Sequence, residues 1–431
     1  MRIVYTLLLA LLMPLILARL CWRSLAQRGY REHIFERFGF YRPAPVKRCI
    51  WIHAVSVGET RAAAPLIHAL RERYPTEPIL LTSMTPTGRA TAQELFGEAV
   101  IAVHLPYDFV SAHRRLAAHF APLILLILET ELWPNLLFAC KQLAIPVVVV
   151  NARLSEKSYS GYARFAPIRT LASEALQSAR MVAAQSAADA ARFRLLGVDA
   201  VSVTGNIKFD VAVDAQLAAL GERWRGACRH RQVLLCASTR EGEEALLLAA
   251  YTATFDEERR LHTLLVIVPR HPQRFDGVAQ EINKFGLDFV NRSDATPDTT
   301  FSRTAACLLG DSMGEMAAYL AFCDVAIIGG SFMPLGGHNL IEACALAKRV
   351  IMGPSVFNFA DASRQAREVG ALEIVEDAAA AMRTALAILE DSARAKRMGD
   401  AGLALVDANR GATEKMVNLV ADILEKQQHG R

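Results

Sequence analysis

Acidic side chains follow apolar runs at two places in the first half of the chain. Glu59 lies in SVGET, just after the run CIWIHAV, and Glu129 and Glu131 follow the run APLILLIL. A carboxylate at such a position can accept a proton from an attacking hydroxyl group. Ser56 and Glu59 also match the S-x-x-E pattern of a capping box, in which the glutamate only stabilises the start of a helix. The residues alone leave both interpretations of Glu59 open.

Basic side chains occur in two further turns. Arg270 lies between two prolines in VPRHPQR, and Lys208 follows a Gly-Asn pair in VTGNIKFD. Prolines restrict the backbone of the first turn, which predicts that Arg270 is held in place, and a guanidinium suits phosphate oxygens. Lys208 is either a point charge for a phosphate or carboxylate, or an ordinary solvated lysine at the surface.

Two glycine-containing segments in the second half of the chain predict ligand binding. Gly314 and Glu315 precede a helix in GDSMGEM, and the glycine-rich IIGGSFMPLGGHN precedes a helix that contains Glu342. Such a loop predicts N–H groups that bind phosphate at a helix N-terminus, and Glu342 could bind ribose hydroxyls. Neither the G-K-[ST] of a P-loop nor G-x-G-x-x-G is present.

All of these segments come just after apolar runs. The runs are continuously apolar rather than alternating, which predicts strands buried on both faces of a parallel sheet with helical crossovers. Polar residues 210–232 separate a series ending at VSVTGN from a second series that begins at QVLLCAST. Ligands bind at the carboxyl ends of strands in open parallel sheets. The sequence therefore predicts an enzyme with two α/β domains that meet at a cleft.

The N-terminal segment predicts a membrane anchor. Residues 3–18 are uncharged and mostly apolar, a length between that of a signal-peptide core and that of a full bilayer span. Seven Lys and Arg residues between positions 21 and 50 predict, by the positive-inside rule, that the rest of the chain stays cytoplasmic. Since no small-x-small cleavage site follows cleanly, an uncleaved anchor is favoured over a cleaved signal. The length leaves open whether it crosses the bilayer.

Charge and cysteine usage narrow the class of protein. The net charge of the 431 residues is +4, but residues 1–50 contain nine basic and two acidic residues, so the remainder is slightly negative. This distribution predicts a membrane surface as partner and no nucleic acid. The eight cysteines form no C-x-x-C pair, which predicts buried thiols in a reducing compartment and no metal site.

Taken together, these segments resemble the Kdo transferases of lipid A assembly, in which Kdo is 3-deoxy-D-manno-octulosonic acid. The likeness extends to about residue 360 and is carried, in order, by RFGFY, VSVGET, SMTPTG, LPYD, ETELWPN, NARLS, TGNIKFD, PRHPQRF, GDSMGE, GGSF with GGHN-x-x-E, and MGPSVFNF. It implies the α/β fold called GT-B, with two Rossmann-like parallel-sheet domains around a cleft. The implied divisions are an anchor (1–21), an acceptor-binding domain (22–209), a linker (210–231), a CMP-Kdo-binding domain (232–405) and a C-terminal helix (406–431).

The resemblance also implies roles for individual residues. Glu59 corresponds to the catalytic base, and Glu129 and Lys208 correspond to residues that support the transition state. The residues that correspond to contacts with CMP are Pro269, Arg270, Met313, Gly314, Glu315, Asn339, Leu340, Ile341 and Glu342.

The implied activity is that of an inverting glycosyltransferase at the cytoplasmic face of the inner membrane. It would move Kdo from the donor substrate CMP-Kdo to the lipid A precursor lipid IVA and release CMP, with no cofactor and no metal. One alternative is another GT-B enzyme, such as a nucleotide-sugar epimerase or a different lipid-linked glycosyltransferase, although the apolar and basic N-terminus disfavours the soluble epimerases. A second is a non-catalytic membrane protein that binds anionic ligands, which would need the glycine-rich loops but not Glu59.

Overall fold

The computed structural model describes residues 1–26, 28–211, 213–294 and 305–429. The chain divides into two compact units, Met1–Asp210 with Arg410–Arg431, and Val211–Asn409. Each unit contains one seven-stranded sheet. All strand pairs are parallel, as the continuous apolar runs predict.

The first unit begins with a long helix and continues as alternating strands and helices. Its strands are β1 (Cys49–His53), β2 (Ile79–Ser83), β3 (Ile101–His104), β4 (Pro122–Leu128), β5 (Val147–Ala152), β6 (Met181–Ala184) and β7 (Val201–Val203). Its helices are α1 (Arg2–Ala26), α2 (Val57–Ala62), α3 (Ala64–Arg73), α4 (Pro86–Phe96), α5 (Val110–Phe120), α6 (Pro134–Gln142), α7 (Glu156–Ala163), α8 (Ala166–Leu176) and α9 (Ala187–Leu195). The sheet order is β3-β2-β1-β4-β5-β6-β7.

Strand β1 explains why the apolar runs are continuous. Ile50 and Ile52 belong to a hydrophobic core on one face of the sheet, which also contains Leu66 of α3. Trp51 belongs to a separate core on the other face, together with Leu137 of α6. Successive side chains of a strand point to opposite faces, so a strand covered on both faces needs apolar residues at every position.

Hydroxyl side chains cap several helices of the first unit. Ser56, Thr85, Ser155 and Ser186 each accept a hydrogen bond from a backbone N–H in the first turn of α2, α4, α7 and α9. Each cap satisfies a donor that the helix itself leaves unpaired. These caps fix where the helices begin after strands β1, β2, β5 and β6, and therefore where the side chains of their first turns lie.

The second unit repeats this strand and helix pattern. Its strands are β8 (Gln232–Thr239), β9 (Thr263–Pro269), β10 (Phe289–Asn291), β11 (Cys307–Leu309), β12 (Val325–Ile328), β13 (Arg349–Met352) and β14 (Leu372–Ile374), in the order β10-β11-β9-β8-β12-β13-β14. Its helices are α10 (Ala215–Ala227), α11 (Glu243–Thr254), α12 (Glu257–His262), α13 (Phe275–Lys284), α14 (Met316–Phe322), α15 (Ile341–Ala345), α16 (Ala360–Glu368), α17 (Ala378–Glu390) and α18 (Ser392–Asn409). No apolar run predicts the edge strand β14, because the strand is short and only Leu372 among its three residues is buried.

The segment 210–231, predicted as a linker, is mostly the helix α10. Its Trp224 is fully buried, and the Trp224 ring lies 5.6 Å from the ring of Tyr319 in α14. A side chain at Gly221 would collide with the backbone of Ala318, so α10 and α14 approach closely. Polar residues on the other side of α10 obscure this apolar face in the sequence, and the helix belongs to the second unit.

The last helix, α19 (Ala412–His429), belongs to the first unit. Asp210 accepts hydrogen bonds from the backbone N–H groups of Gly411 (2.7 Å) and Thr413 (2.5 Å). Val420 is buried in the same core as Leu66. The C-terminal helix was predicted from residue 406, but residues up to Asn409 continue α18 of the second unit.

Candidate functional site

Glu59 lies at the start of α2, beyond the carboxyl end of β1. Its Oε2 accepts a hydrogen bond from the backbone N–H of Val55 (2.8 Å), and its Oε1 accepts one from the Ser56 hydroxyl (3.1 Å). Ser56 in turn caps the N–H of Glu59. The glutamate thus takes part in a variant of the capping box that reaches back to Val55, and it remains half-buried.

The same position raises the pKa of Glu59. The pKa of Glu59 is raised to about 7, mainly by burial and also by the nearby carboxylates of Glu129 and Glu131, against the opposing hydrogen bonds from Val55 and Ser56. A base is most useful when its pKa lies near the working pH. Capping and proton transfer are therefore compatible roles for one side chain.

Glu129 and Lys208 form an ion pair at the same end of the sheet. The Glu129 Oε1 lies 3.2 Å from the Lys208 Nζ, and both side chains are partly exposed. Glu129 directly follows β4, the neighbour of β1, and adopts a φ of 55°. This left-handed conformation is unusual for a residue with a side chain and is often found at functional sites.

Lys208 reaches Glu129 although it follows β7, three strands away from β4. The loop after β7 folds back over the sheet because the N–H of Ile207 donates to Asn151 Oδ1 (3.1 Å), at the end of β5. Ile207 itself is fully buried. Lys208 is thereby brought to Glu129, and it is not the solvated surface lysine of the alternative interpretation.

Aromatic and imidazole side chains lie beside these carboxylates. His53, the last residue of β1, is fully buried, and its ring packs edge-on against the ring of Trp133 at 6.1 Å. Burial lowers the pKa of His53 to about 3, so that it is neutral at pH 7. No local pattern singles out His53, because it lies inside the apolar run CIWIHAV.

In the second unit, two arginines and a histidine lie at the carboxyl ends of β8, β9 and β12. Arg240 directly follows β8, Arg270 directly follows β9, and His338 lies in the loop after β12. Burial and the charges of Arg270 and Arg240 lower the pKa of His338 to about 4. The backbone N–H of Arg270 donates to Thr239 (2.9 Å), which holds the end of β9 against the end of β8. Two arginines at one edge of a sheet suit phosphate oxygens.

The predicted HNLIE segment places one carboxylate near this cluster. Asn339 Nδ2 donates to Glu342 Oε1 (2.9 Å), and Asn339 Oδ1 accepts from the N–H of Ile341 (3.0 Å). Burial raises the pKa of Glu342, whereas Asn339 and the charge of Arg270 lower it. Leu340 and Ile341 are buried, so any contact of theirs with a ligand would be through the backbone.

The MGE segment forms a turn after β11. Glu315 is bound by Arg292 (2.9 Å) and by the Ser312 hydroxyl (2.5 Å). Gly314 has a φ of 82° and, like Met313, is exposed. The carboxylate of Glu315 is therefore engaged within the unit, and the exposed part of the turn is Met313 and Gly314. Pro269, the remaining predicted contact, is the buried last residue of β9.

The glycine-rich loop differs from the sequence prediction. Its N–H groups were expected to bind phosphate, but those of Gly330 and Phe332 donate to the carboxylate of Glu243 at 2.7 and 2.9 Å. The N–H groups of Gly336 and Gly337 donate to Ser355 Oγ and to a backbone carbonyl. These donors are occupied because a buried glutamate and the folded loop satisfy them. The positive charge at this edge comes from the arginines instead.

Sequence reasoning missed Glu243 and Arg240, which lie in the segment STREGEE. A weak signal was present, since this segment directly follows the apolar run QVLLCAST. As for metals, the described residues contain no group of three His, Cys, Asp or Glu side chains that could hold an ion.

Comparisons with known proteins place the chain in a family. Residues 32–211 match the family model described as 3-deoxy-D-manno-octulosonic-acid transferase (kdotransferase). The 3-deoxy-D-manno-octulosonic acid transferase of Bordetella pertussis is 42% identical to the chain, with 98% of this chain and 99% of that protein covered. That of Haemophilus influenzae is 36% identical, with 99% of both covered. The chain belongs to the Kdo transferase family.

Solved structures confirm the GT-B fold of this Kdo transferase. The S. aureus MnaA–UDP structure matches with a TM-score of 0.55 at 16% identity, over 88% of this chain and 97% of that one. A UDP-GlcNAc 2-epimerase from Neisseria meningitidis matches with a TM-score of 0.54 at 14% identity, over 87% and 100%. At such low identity the likeness concerns the fold alone. The 42% and 36% identity to the Kdo transferases of Bordetella pertussis and Haemophilus influenzae identifies the chain as a transferase and not an epimerase.

Proposed function

We propose that this Kdo transferase is an inverting enzyme that moves Kdo from CMP-Kdo to lipid IVA and releases CMP. The first unit binds the acceptor and the second binds CMP. The observation that carries the proposal is the half-buried Glu59, whose pKa is raised to about 7 beside two further carboxylates. A structural cap would not need these neighbours, because the hydrogen bonds to Val55 and Ser56 already satisfy it.

In the proposed reaction Glu59 removes the proton from the acceptor hydroxyl. The hydroxyl oxygen forms a bond to the anomeric carbon of Kdo on the face opposite the bond to CMP. That bond breaks, and its electrons leave with the phosphate of CMP. A single displacement of this kind inverts the configuration at the anomeric carbon.

Glu129 and Lys208 support the transition state. The anomeric carbon becomes partly positive as CMP departs, and a preorganised carboxylate stabilises such a charge. Lys208 holds Glu129 in place across 3.2 Å and supplies a cation for the acidic group of Kdo.

In the second unit, Arg270 is proposed to bind the phosphate of CMP, and Glu342 the ribose. Support comes from the position of Arg270 at the end of β9 with Arg240 near it. The turn at Met313 and Gly314, the backbone of Leu340 and Ile341, and the end of β9 at Pro269 complete the proposed CMP site, with Glu315 and Asn339 as positioning residues. The scheme uses CMP-Kdo as substrate and requires no cofactor.

The enzyme is proposed to act at the cytoplasmic face of the inner membrane. Helix α1 is long and apolar enough to cross a membrane, and the surplus of basic residues in the first 50 positions suits anionic lipids. A lipid acceptor would be met at this surface.

The test is transfer itself. Purified enzyme is incubated with lipid IVA and CMP-Kdo, and the lipid product is analysed by mass spectrometry while released CMP is measured. We expect a mass increase by whole Kdo units together with CMP release. Parallel incubations replace CMP-Kdo by UDP-GlcNAc or lipid IVA by a soluble sugar. Activity with these replacements and none with CMP-Kdo and lipid IVA would contradict the proposed donor and acceptor.

A further inference from the structure

One face of helix α1 is less exposed than the other from its first turn to its last. The residues of α1 that are buried or half-buried are Arg2, Tyr5, Thr6, Leu9, Met13, Ile16, Leu17, Leu20 and Ser24. These positions, some of them adjacent pairs, recur every three or four residues. They therefore lie on one face of the helix. The helix is about 37 Å long at ~1.5 Å per residue, so its two ends are further apart than a hydrocarbon core is thick.

The first turn of α1 is fastened to the unit by polar contacts. Arg2 Nη1 lies 3.1 Å from Asn135 Oδ1, and Asn135 Nδ2 donates to the Thr6 hydroxyl at 2.9 Å. The Arg2 guanidinium also lies 3.5 Å from the centre of the Phe138 ring. Asn135 is fully buried at the start of α6, in the ETELWPN segment. The amino-terminal end of α1 is therefore held by the catalytic unit itself.

The last turns of α1 are partly buried, and the chain that follows the helix is fastened to the same unit. Leu20 and Ser24 are 8% and 4% exposed. Shortly after the helix, the Arg37 guanidinium donates two hydrogen bonds to the Met84 carbonyl, and Arg115 donates to the Phe38 carbonyl. Both ends of α1 thus lie against one folded body.

The opposite face of α1 is apolar and exposed. It consists of Ile3, Val4, Leu7, Leu8, Leu11, Leu12, Leu15, Trp22 and Leu25, each between 48% and 77% exposed. No charged residue lies between Arg2 and Arg19. Arg19 and Arg23 are exposed near the carboxyl-terminal end. An apolar face with basic residues beside it matches a membrane interface, in which acyl chains lie below anionic headgroups.

We infer that α1 lies in the plane of the membrane, with its exposed apolar face inserted into one leaflet, and that it does not cross the bilayer. Crossing would put Arg2 and Thr6 on the far side of the membrane and would leave Asn135 without these partners. An in-plane helix keeps every contact named above and still buries Leu7, Leu11 and Leu15 in lipid. The inference rests on the membrane attachment within the proposed function.

In-plane insertion also bears on the acceptor. Asn135 and Glu131 belong to the same ETELWPN segment, and Glu131 is one of the carboxylates that raise the pKa of Glu59. The helix that enters the leaflet is therefore bonded to the segment that carries Glu129, one of the two proposed catalytic carboxylates. This arrangement suits a lipid whose headgroup reacts while its acyl chains remain in the same leaflet.

The side of the membrane on which α1 begins tests the inference. A protease-cleavable tag is placed ahead of Met1 in the full-length chain, and the matched control carries the same tag after Arg431. In-plane insertion predicts that both tags are cleaved in inverted inner-membrane vesicles and neither in spheroplasts. A tag ahead of Met1 that is cleaved only in spheroplasts would overturn the inference and leave membrane attachment intact.

A depth measurement gives an independent result. Cys21 is the only exposed cysteine among the eight, so Leu7→Cys, Leu11→Cys and Leu15→Cys in a Cys21→Ser background each carry one reactive site for a fluorescent label. Quenching by brominated lipids in anionic vesicles should report the same shallow depth for all three labels. A crossing helix would instead give steps of about 6 Å between successive labels, and that result would overturn the inference. No binding to the vesicles would overturn both this inference and the proposed membrane attachment.

Discussion

The two units place a glutamate at corresponding positions and use it differently. Glu59 follows β1 and Glu243 follows β8, which are the first strands of their units along the chain. In each sheet the strand order reverses beside this strand, between β1 and β4 and between β8 and β12. Each glutamate reaches back to a backbone N–H just ahead of its own helix, Glu59 to Val55 and Glu243 to Arg240. Ligands bind at such switch points in doubly wound sheets, so both positions are suited to function.

The partners of the two carboxylates separate their roles. Glu243 is fully buried and accepts three backbone hydrogen bonds, from Arg240, Gly330 and Phe332. Glu59 accepts one backbone hydrogen bond and remains half-buried, and burial together with the neighbouring carboxylates raises its pKa to about 7. Hydrogen bonds to a carboxylate favour its charged form, whereas burial and like charges disfavour it. Glu243 is therefore suited to shaping a loop, and Glu59 to exchanging a proton.

The largest expected effect concerns activity at Glu59. Glu59→Gln keeps the shape of the side chain and removes its ability to take a proton, so we expect transfer to fall by roughly 10²–10⁴-fold. CMP affinity should stay unchanged, because CMP is assigned to the other unit. Steady-state transfer assays and calorimetry measure the two quantities. A fully active variant would leave only the capping role for Glu59 and make Glu129 or Glu131 the next candidate.

Glu243→Gln should lower the stability of the protein rather than remove a group that takes part in proton transfer. A glutamine offers one acceptor oxygen, and its NH₂ group would face backbone donors, so at least one buried N–H loses its partner. We expect a loss on the order of 1–3 kcal/mol in the free energy of unfolding, measured by urea denaturation. Any loss of transfer should follow from weaker CMP binding as the Gly330 loop shifts. Loss of transfer with wild-type stability and CMP affinity would break the comparison.

Arg270→Ala and Glu342→Ala should weaken CMP binding without affecting the first unit. Each variant removes a charged hydrogen-bonding group, which costs about 1.5–3 kcal/mol, or roughly 10–100-fold in affinity. Calorimetry with CMP measures this. Arg364→Ala is the matched control, since it removes an exposed charge of the same unit that lies outside the proposed CMP site, and its CMP affinity should not change. Wild-type affinity in both Arg270→Ala and Glu342→Ala would refute the assignment of the CMP site.

The smallest effect separates capping from charge at Glu59. The folded pKa of about 7 exceeds the usual 4.5, so ionisation costs stability progressively as the pH rises from about 4.5 to 7. At pH 8, Glu59→Gln should therefore be more stable than the wild type, by on the order of 1 kcal/mol. Ser56→Ala should lose about 1 kcal/mol at pH 5 through the lost cap, and more at pH 8, where the Ser56 hydroxyl also donates to the ionised Glu59. Thermal unfolding at pH 5 and pH 8 distinguishes the two variants. Equal losses of stability in Glu59→Gln and Ser56→Ala would count against a carboxylate that is costly to ionise in the folded protein.

Most strands could be predicted from the sequence because each is an apolar run with an abrupt polar end. The run IPVVVVNA became β5, for example, whereas the half-buried edge strand β14 gave no such run. Glu59 could be singled out for the same reason, since polar residues directly after a buried strand lie at the carboxyl edge of the sheet.

What the sequence could not indicate is contact between distant segments. Lys208 and Glu129 are 79 residues apart, and Gly330 lies 87 residues from Glu243. Nothing local to the glycine-rich loop indicates that a distant glutamate takes up its N–H groups. Helix α10 was not predicted for a related reason. Polar residues on one side of the helix interrupt the apolar pattern of its buried side, which includes Trp224.

The pH dependence of transfer tests the central claim most directly. The profile of kcat/KM reports the pKa of the base in the free enzyme. Glu59 must be ionised to act, so the wild-type rate should fall as the pH drops through about 7 and level off above it. The residual activity of Glu59→Gln should lack this limb, and Glu243→Gln should retain it. A limb near pH 7 that persists in Glu59→Gln, or a wild-type profile that is flat across this range, would contradict the account.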